Sequence, residues 1–266
     1  MNNIFSFRRF GKILKKDLCE FYSRYGLSML VYISVYTLYW LILSLLNVAT
    51  SVNERYDFII FLSFICGYFA PFKLYGYAND AKEGIPYAML PASTLEKTTS
   101  MVLNCMIITP VSMLLLLFAA DTLFTIMPFG VFSSKYIFTT FAMTPQNSII
   151  FGNLLGLEVV ISLAMLGNVL FKKHKVSITL LGSIALFIVA MRVFVGCIID
   201  KVQMEEELTS FAKTINSTTV TISMQDIPQS VHVLMNYMQN FLTVFAIVVV
   251  VLSLIGIYRK IKTQKY

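Results

Sequence analysis

Apolar residues fall in runs of about 20 along most of this 266-residue chain, and short polar stretches separate the runs. About 20 residues of α-helix cross the ~30 Å hydrocarbon core of a bilayer, so each run predicts a transmembrane helix. The pattern therefore predicts an all-α integral membrane protein with six spans, at about 27–48, 58–77, 101–120, 149–170, 176–199 and 233–257.

Residues 1–26 show a different pattern, in which apolar residues recur at three- and four-residue steps and cations occupy the other faces. This arrangement is typical of a helix in the membrane interface, with aromatic rings among acyl chains and cations near anionic headgroups. We predict an amphipathic elbow helix here, acting either as an anchor or as a moving lever. Its anchoring residues would be Phe7, Arg8, Arg9, Phe10, Lys12, Leu14, Lys15 and Lys16.

The composition, 57% hydrophobic with a mean hydropathy of +0.74, excludes an ordinary soluble domain. The net charge of +7 comes from cations at the ends of apolar runs, which indicates membrane topology and not a nucleic-acid partner. Six Lys and Arg lie in the arm, three in the loop 73–100, three in the turn 171–175 and four in the tail 258–266. The other side carries four: Arg55, Lys135, Lys201 and Lys213.

Sixteen cations against four predict six spans with both termini in the cytoplasm. The segments 121–147 and 200–232 would then lie outside, and a further span within 129–143 would spoil the asymmetry. Residues 200–232 carry helix-start signals that predict short helices beside the membrane. Pro110 predicts a kink in the third span because proline removes one helix hydrogen bond.

The loop 73–100 is the longest polar segment on the predicted cytoplasmic side. Pro91 reads as a helix start, and Ser93 with Glu96 fits a capping box, in which hydroxyl and carboxylate satisfy free N–H groups reciprocally. A capped helix feeding span three would transmit a push on this loop to spans two and three. The alternative is a solvated connector that merely joins two helices.

This layout resembles the permease subunits of ATP-binding-cassette (ABC) exporters of the second type. Those proteins have six spans, an N-terminal elbow helix, a coupling helix between spans two and three, and short outer helices between spans five and six. Their loop motif runs from acidic residues and Gly-Thr through a Leu pair to Pro-Val/Ala-Ser and a basic residue. Ile85 departs from that motif, and the Gly-to-Pro spacing is shorter. The corresponding ATPase-coupling residues here are Asp80, Glu83, Gly84, Leu90, Pro91, Ala92, Ser93, Glu96 and Lys97.

The resemblance implies a permease subunit in a bacterial cytoplasmic (inner) membrane, paired with a second permease protomer as a homo- or heterodimer. A separate ABC ATPase docked on residues 80–97 would hold ATP and Mg, and this chain would need no cofactor or metal. The chain itself is not expected to be an enzyme, because it has no G-x-x-x-x-G-K-[ST] phosphate loop. Its Phe-, Tyr- and Met-rich spans favour an amphipathic or hydrophobic substrate for export.

Two other classes of protein remain open. A self-contained secondary transporter would show paired half-chain repeats and more buried ionisable groups, yet no repeat relates residues 27–120 to 149–257. A non-transporting immunity or sensor subunit would bind a partner without any ATPase contact through the loop 73–100.

Glu158 and Arg192 are charged residues inside the predicted spans four and five. Each should find a partner or face water, because an unpaired charge in hydrocarbon costs several kcal/mol. An ion pair between them is one hypothesis, and a proton or substrate site is the other. Gly152 and Gly156 form a small-xxx-small face that indicates helix packing.

Overall fold

The structure is a computed structural model that describes residues 5–48, 51–79, 84, 87, 89–126, 136–137, 147–199 and 229–263, without the side chains of 147–151, 197–199 and 229–235. Within these ranges every regular element is helical. Asp80, Glu83 and most of the predicted outer segments, including the short helices expected within 200–228, lie outside the described residues.

The helices follow one another along the chain with short connections. They are α1 (Phe7–Leu45), α2 (Val52–Tyr75), a 3₁₀ turn (Gly76–Asn79), α3 (Thr94–Val102), a π-helical segment (Leu103–Ile108), α4 (Thr109–Ile126), α5 (Asn147–Leu170), α6 (Lys175–Ile199) and α7 (Gln229–Thr263). In the described part, six helical stretches are long and apolar enough to cross a membrane. The predicted multi-pass, all-helical architecture is confirmed at that level.

The predicted elbow helix and the first predicted span form one helix. α1 has 39 residues, which corresponds to about 58 Å, nearly twice the thickness of the hydrocarbon core. No proline interrupts it, and Gly26, which has nothing within 4 Å of its Cβ position, costs only about 1 kcal/mol of helix propensity. A movement at residue 7 is therefore carried into the apolar part of the same helix.

α2 begins earlier than the sequence pattern predicted, because residues 52–57 are helical and do not form a polar loop. Ser51 caps the helix, and a second capping box joins the Ser51 hydroxyl to the Glu54 amide and the Glu54 carboxylate to the Ser51 amide. The polar run that resembled a loop is thus the first turn of a helix, where acidic side chains also favour the positive end of the helix dipole.

The third candidate span, Thr94–Ile126, is a continuous rod built from α3, the π-helical segment and α4. The π-helical segment ends just before Pro110, which lies in the first turn of α4 and has no N–H to donate. One wide turn at this point accommodates the missing donor, as π-bulges do in long helices. The predicted disturbance at Pro110 therefore takes the form of a π-helical turn.

The chain divides into two compact units, and the first comprises residues 1–180 and 249–266. Its core lies among α1, α2, the α3–α4 rod and α5, with large side chains such as Tyr25, Trp40 and Leu157 fully buried. α2 and α5 approach closely at glycines: a Cβ on Gly67 would lie 3.0 Å from Ile161, and one on Gly156 would lie 3.2 Å from Phe64. Gly156 therefore packs as predicted, whereas Gly152 has nothing within 4 Å.

The second unit comprises residues 181–248, that is, most of α6 and the first half of α7. Phe194 and Phe241 join these two helices with ring centroids 4.9 Å apart, and Phe241 stacks on Phe245. Many of its other apolar side chains are exposed, for example Leu181, Val189 and Val248. Exposed apolar side chains on a long helix are typical of a surface that faces lipid.

Candidate functional site

The carboxylate of Glu96 lies where the N-termini of α1 and α3 meet. One oxygen, Oε2, accepts a hydrogen bond from the Ser93 amide at 2.8 Å, and the Ser93 hydroxyl accepts from the Glu96 amide at 3.2 Å. The predicted capping box is thus present. The other oxygen, Oε1, accepts from the Ser6 amide at 2.7 Å and from Arg9 Nη2 at 3.2 Å. Glu96 therefore caps its own helix and fastens the beginning of α1 to it.

Glu96 is fully buried, yet its environment favours the charged form. It lies in the first turn of a 33-residue rod, which is about 50 Å long and extends beyond a ~30 Å hydrocarbon core. Burial acts to raise the pKa of Glu96, but the amide hydrogen bonds from Ser6 and Ser93, together with Arg9, outweigh it and lower that pKa. The carboxylate therefore stays ionised at neutral pH, where it is surrounded by N–H donors.

A second layer of polar contacts joins α1, α2 and α3 just beyond Glu96. Asp17 Oδ2 accepts hydrogen bonds from the Ser100 hydroxyl at 2.6 Å and from the Tyr75 hydroxyl at 3.0 Å. Asn104 Nδ2 donates to the Tyr75 hydroxyl at 3.1 Å. All four side chains are buried, so these hydrogen bonds form in a place that water does not reach. One carboxylate therefore joins α1 to α2 and α3.

The loop between α2 and α3 is fastened at both of its ends. At its beginning, the Tyr77 hydroxyl donates to Glu20 on α1 at 3.0 Å, and the Arg24 guanidinium lies 4.0 Å from the centre of the Tyr77 ring. At its end, Lys97 Nζ donates to the Tyr87 carbonyl at 3.0 Å. The described part of the loop is thus joined to α1 through Tyr77 and to α3 through Tyr87.

The predicted coupling residues divide into buried and exposed groups. Gly84, Ala92, Glu96 and Lys97 are buried, and Leu90 and Ser93 are half-buried, so these residues shape the loop from within. Pro91 is exposed, and it is flanked by two apolar side chains that sequence reasoning missed: Met89, 77% exposed, and Leu95, 46% exposed. Among the described residues 84, 87 and 89–97, Met89, Pro91 and Leu95 are the exposed ones, and we call these three residues the loop patch.

The predicted anchoring residues of α1 also divide by exposure. Phe7, Arg8, Lys12 and Lys15 are exposed, whereas Arg9, Phe10, Leu14 and Lys16 are half-buried. The face turned toward the protein is instead formed by Ile13, Asp17, Phe21 and Tyr25 at four-residue steps. This spacing is visible in the sequence, and it could have identified Asp17 as a buried carboxylate on a packed face.

A buried ion pair at the opposite end of the same three helices was not predicted. Arg55 Nη1 lies 3.3 Å from Asp121 Oδ1, and the two side chains are 0% and 1% exposed. Asp121 Oδ1 also accepts from the Tyr36 hydroxyl at 2.7 Å, and Arg55 donates to Thr125 Oγ1 at 2.9 Å. Arg55 was counted as a loop cation and Asp121 as the start of an outer loop; both lie in helices. Without Arg55, the predicted charge asymmetry is sixteen against three.

The two intramembrane charges predicted from the sequence lie in different compact units, so their ion pair stays a prediction. Glu158 is half-buried in α5, and its Oε2 atom is buried without a hydrogen-bond partner among the described residues. Arg192 is exposed on α6. In the described ranges, no group of three or more His, Cys, Asp or Glu side chains could hold a metal ion.

Comparison with known proteins does not add a family to this description. No protein-family model, no curated protein and no solved structure matches the chain. The geometry of the helix ends is therefore the basis for the function proposed below.

Proposed function

We propose that this chain is the permease subunit of an ABC exporter, driven by a separate ATPase that docks on the loop 80–97. The observation that carries the proposal is the double role of Glu96, which caps α3 and holds the beginning of α1. A loop that only joined α2 to α3 would not need its helix start fastened to a third helix. A docking surface for a partner that exerts force would need this.

The loop patch is the point at which the force would enter. Met89, Pro91 and Leu95 are exposed and apolar, and apolar side chains of this kind are the common anchors of protein interfaces. Ala92 and Lys97, which follow Pro91 and Leu95 closely in the sequence, are buried, so a push on the patch would reach the start of α3. A partner that pushed on Leu95 would thus displace α3.

From α3 the displacement would reach two further helices. Glu96 would pull on Ser6 and Arg9 of α1, and Ser100 would pull on Asp17, whose carboxylate also binds Tyr75 of α2. Because α1 and the α3–α4 rod are continuous helices, a shift at their ends is passed along their length. ATP and Mg would belong to the partner ATPase, and its closure on ATP would move the spans between inward- and outward-facing arrangements.

The remaining parts of the proposal follow from the same assembly. The protein would lie in a bacterial cytoplasmic membrane with both termini in the cytoplasm, in agreement with the charge asymmetry of the sequence. A second permease protomer would complete the translocation path. The transported substrate would be amphipathic or hydrophobic.

The test is co-purification of the ATPase, combined with variants of the loop patch. The protein is solubilised from its native membranes in mild detergent, and any stoichiometric partner is identified by mass spectrometry. Met89→Asp with Leu95→Asp places charge on the patch and should abolish recovery of the ATPase. The matched control, Met89→Leu with Leu95→Met, keeps the patch apolar and should retain it.

Two results would contradict the proposal. One is recovery of a folded, monodisperse protein that never carries an ATPase in any membrane preparation. The other is equal recovery of the ATPase with the charged and the apolar variants, because docking would then occur elsewhere.

A second candidate, the self-contained secondary transporter, is favoured by one observation only. A buried carboxylate oxygen such as Glu158 Oε2, which has no hydrogen-bond partner in the described part of the chain, is a suitable place for a proton that is carried with a substrate. This candidate predicts transport by the purified chain in proteoliposomes under a proton gradient without ATP, and loss of that transport in Glu158→Gln. If transport requires the ATPase and Glu158→Gln is fully active, this candidate is excluded.

A further inference from the structure

The C-terminal end of α7 forms a cavity that the proposed function does not use. α7 continues as a helix through Thr263, so the basic residues of the predicted tail are held in fixed positions. Gly256 packs closely against α5, since a Cβ there would lie 2.8 Å from Leu166 Cδ1. Beside this contact, the last residue of α5 and the end of α7 line an open cavity of about 650 Å³.

The lining of this cavity has two chemically different parts. Leu170 and Gly256 supply an apolar wall, and Arg259, Lys260 and Lys262 supply three cations. Gly256, Arg259, Lys260 and Thr263 follow at the spacing of one helix face, so the wall and two of the cations share a side of α7. None of the three cations forms an ion pair with an acidic side chain in the part of the chain that the structure describes.

The depth of the cavity fits the region of lipid headgroups. Leu170 is the last residue of one candidate span, Gly152–Leu170, and the cations occupy the last turns of another, Asn236–Thr263. Side chains at the ends of membrane-crossing helices lie level with the phosphates of the bilayer, where each Lys or Arg attracts anionic lipids by about 1 kcal/mol. A phosphate would thus meet the cations while its acyl chains lay along Leu170.

We propose that this cavity binds the headgroup of an anionic phospholipid, with Arg259, Lys260 and Lys262 around the phosphate and Leu170 against the acyl chains. The apolar wall distinguishes this ligand from a soluble phosphate, which would contact the cations and gain nothing from Leu170. The apolar wall also distinguishes lipid binding in this cavity from a diffuse electrostatic attraction, which would involve every cation at this end of the molecule equally. The inference stands independently of the ATPase partner.

The test measures binding of a fluorescent phosphatidylglycerol to the full-length protein in a neutral detergent at about 0.15 M salt. Arg259→Gln with Lys260→Gln should weaken binding about 30-fold, since two cations at about 1 kcal/mol each correspond to that ratio. The matched control is Lys172→Gln with Lys173→Gln, which removes the same charge from the neighbouring exposed turn without touching the cavity lining; it should change binding less than threefold.

Two further arms separate the lipid from its alternatives. Leu170→Trp keeps every cation but places a larger side chain in the space for the acyl chains, and it should weaken binding at least tenfold. If this variant unfolds, the comparison of the two glutamine pairs alone tests whether the lipid binds in the cavity. Millimolar glycerol phosphate should not displace the lipid. Displacement by glycerol phosphate, or equal losses in the cavity pair and the control pair, would overturn the proposal.

Discussion

The two ends of the bundle formed by α1, α2 and the α3–α4 rod are both fastened by a carboxylate, but in opposite ways. At one end Glu96 is bound mainly by backbone amides, and its cation, Arg9, is 39% exposed on its side chain. At the other end Arg55 and Asp121 are 0% and 1% exposed; Tyr36 donates a further hydrogen bond to Asp121, and Arg55 donates one to Thr125. Water can therefore reach the cation of the first contact, whereas both partners of the second are shielded from it.

This difference indicates which of the two ion pairs breaks more easily. Releasing Arg9 from Glu96 leaves a cation that water can solvate and a carboxylate that still caps α3, so the change in free energy is small. Separating Arg55 from Asp121 leaves two charges unpaired inside the protein, which is strongly unfavourable. A push on the loop patch would therefore break the contact between Arg9 and Glu96 before the one between Arg55 and Asp121, while Asp17 keeps α1 joined to Ser100 and Tyr75.

The largest expected effect comes from breaking the tight end. Asp121→Leu leaves Arg55 buried without its carboxylate, and we expect it to lower the free energy of unfolding by about 3–5 kcal/mol. The double variant Arg55→Met with Asp121→Leu removes both charges and should recover most of that loss. The measurement is the thermal-unfolding midpoint in detergent. Unfolding is detected by the reaction of a thiol dye with Cys66 and Cys105, which are buried in the folded protein. If Asp121→Leu unfolds like the unchanged protein, the ion pair does not fasten this end.

An effect of intermediate size is expected when the two capping boxes are compared by their loss of unfolding free energy. Glu96→Ala and Glu54→Ala each remove the same local cap, and each should cost about 1 kcal/mol on that account. Glu96→Ala also removes the acceptor for Ser6 and Arg9, and we expect about 1–2 kcal/mol more from those charged hydrogen bonds.

The beginning of α1 supplies a second readout for this pair of variants. Amide hydrogen exchange at residues 6–10 should rise in Glu96→Ala and stay unchanged in Glu54→Ala. Of these two glutamates, Glu96 is the one that binds Ser6 and Arg9 in that segment. Equal exchange in the two variants would mean that Glu96 acts as a local cap alone.

The smallest expected effect is a dependence on pH. The folded protein lowers the pKa of Glu96 below its usual value of 4.5, so the stabilisation is complete above that value and is lost as the pH falls through the lowered pKa. The difference in unfolding midpoint between the unchanged protein and Glu96→Gln should be constant from about pH 7.5 to 5.5 and should shrink near pH 4. A difference that already shrinks between about pH 7.5 and 5.5 would contradict the lowered pKa.

Much of this fold could be predicted because its signals are local. Runs of apolar residues identify helices that cross a membrane, and the order Pro91, Ser93, Glu96 contains a capping box within four residues. Glu96 could not be connected to Ser6 and Arg9 in the same way, because that contact depends on how α1 packs against α3. Sequence spacing along one helix does not contain the position of another.

The burial of Arg55 could not be predicted for the same reason. Its neighbours Asn53, Glu54 and Asp57 are polar, so the local pattern indicates a loop, and a cation there is assigned to solvent. Its burial is explained only by Asp121 and Tyr36, which arrive from two other helices. Asp17 is a different case, since its place between Ile13 and Phe21 at four-residue steps was readable from the sequence.

The chain's only tryptophan, Trp40, lies on α1 in the cluster around Tyr36, with ring centroids 6.1 Å apart. Arg9 is on the same uninterrupted helix, about 46 Å away at 1.5 Å per residue. The protein thus contains an intrinsic optical reporter at one end of a rigid helix whose other end meets Glu96. The emission spectrum of that single indole would register, without any added label, whether an event at the loop patch reaches the opposite end of α1.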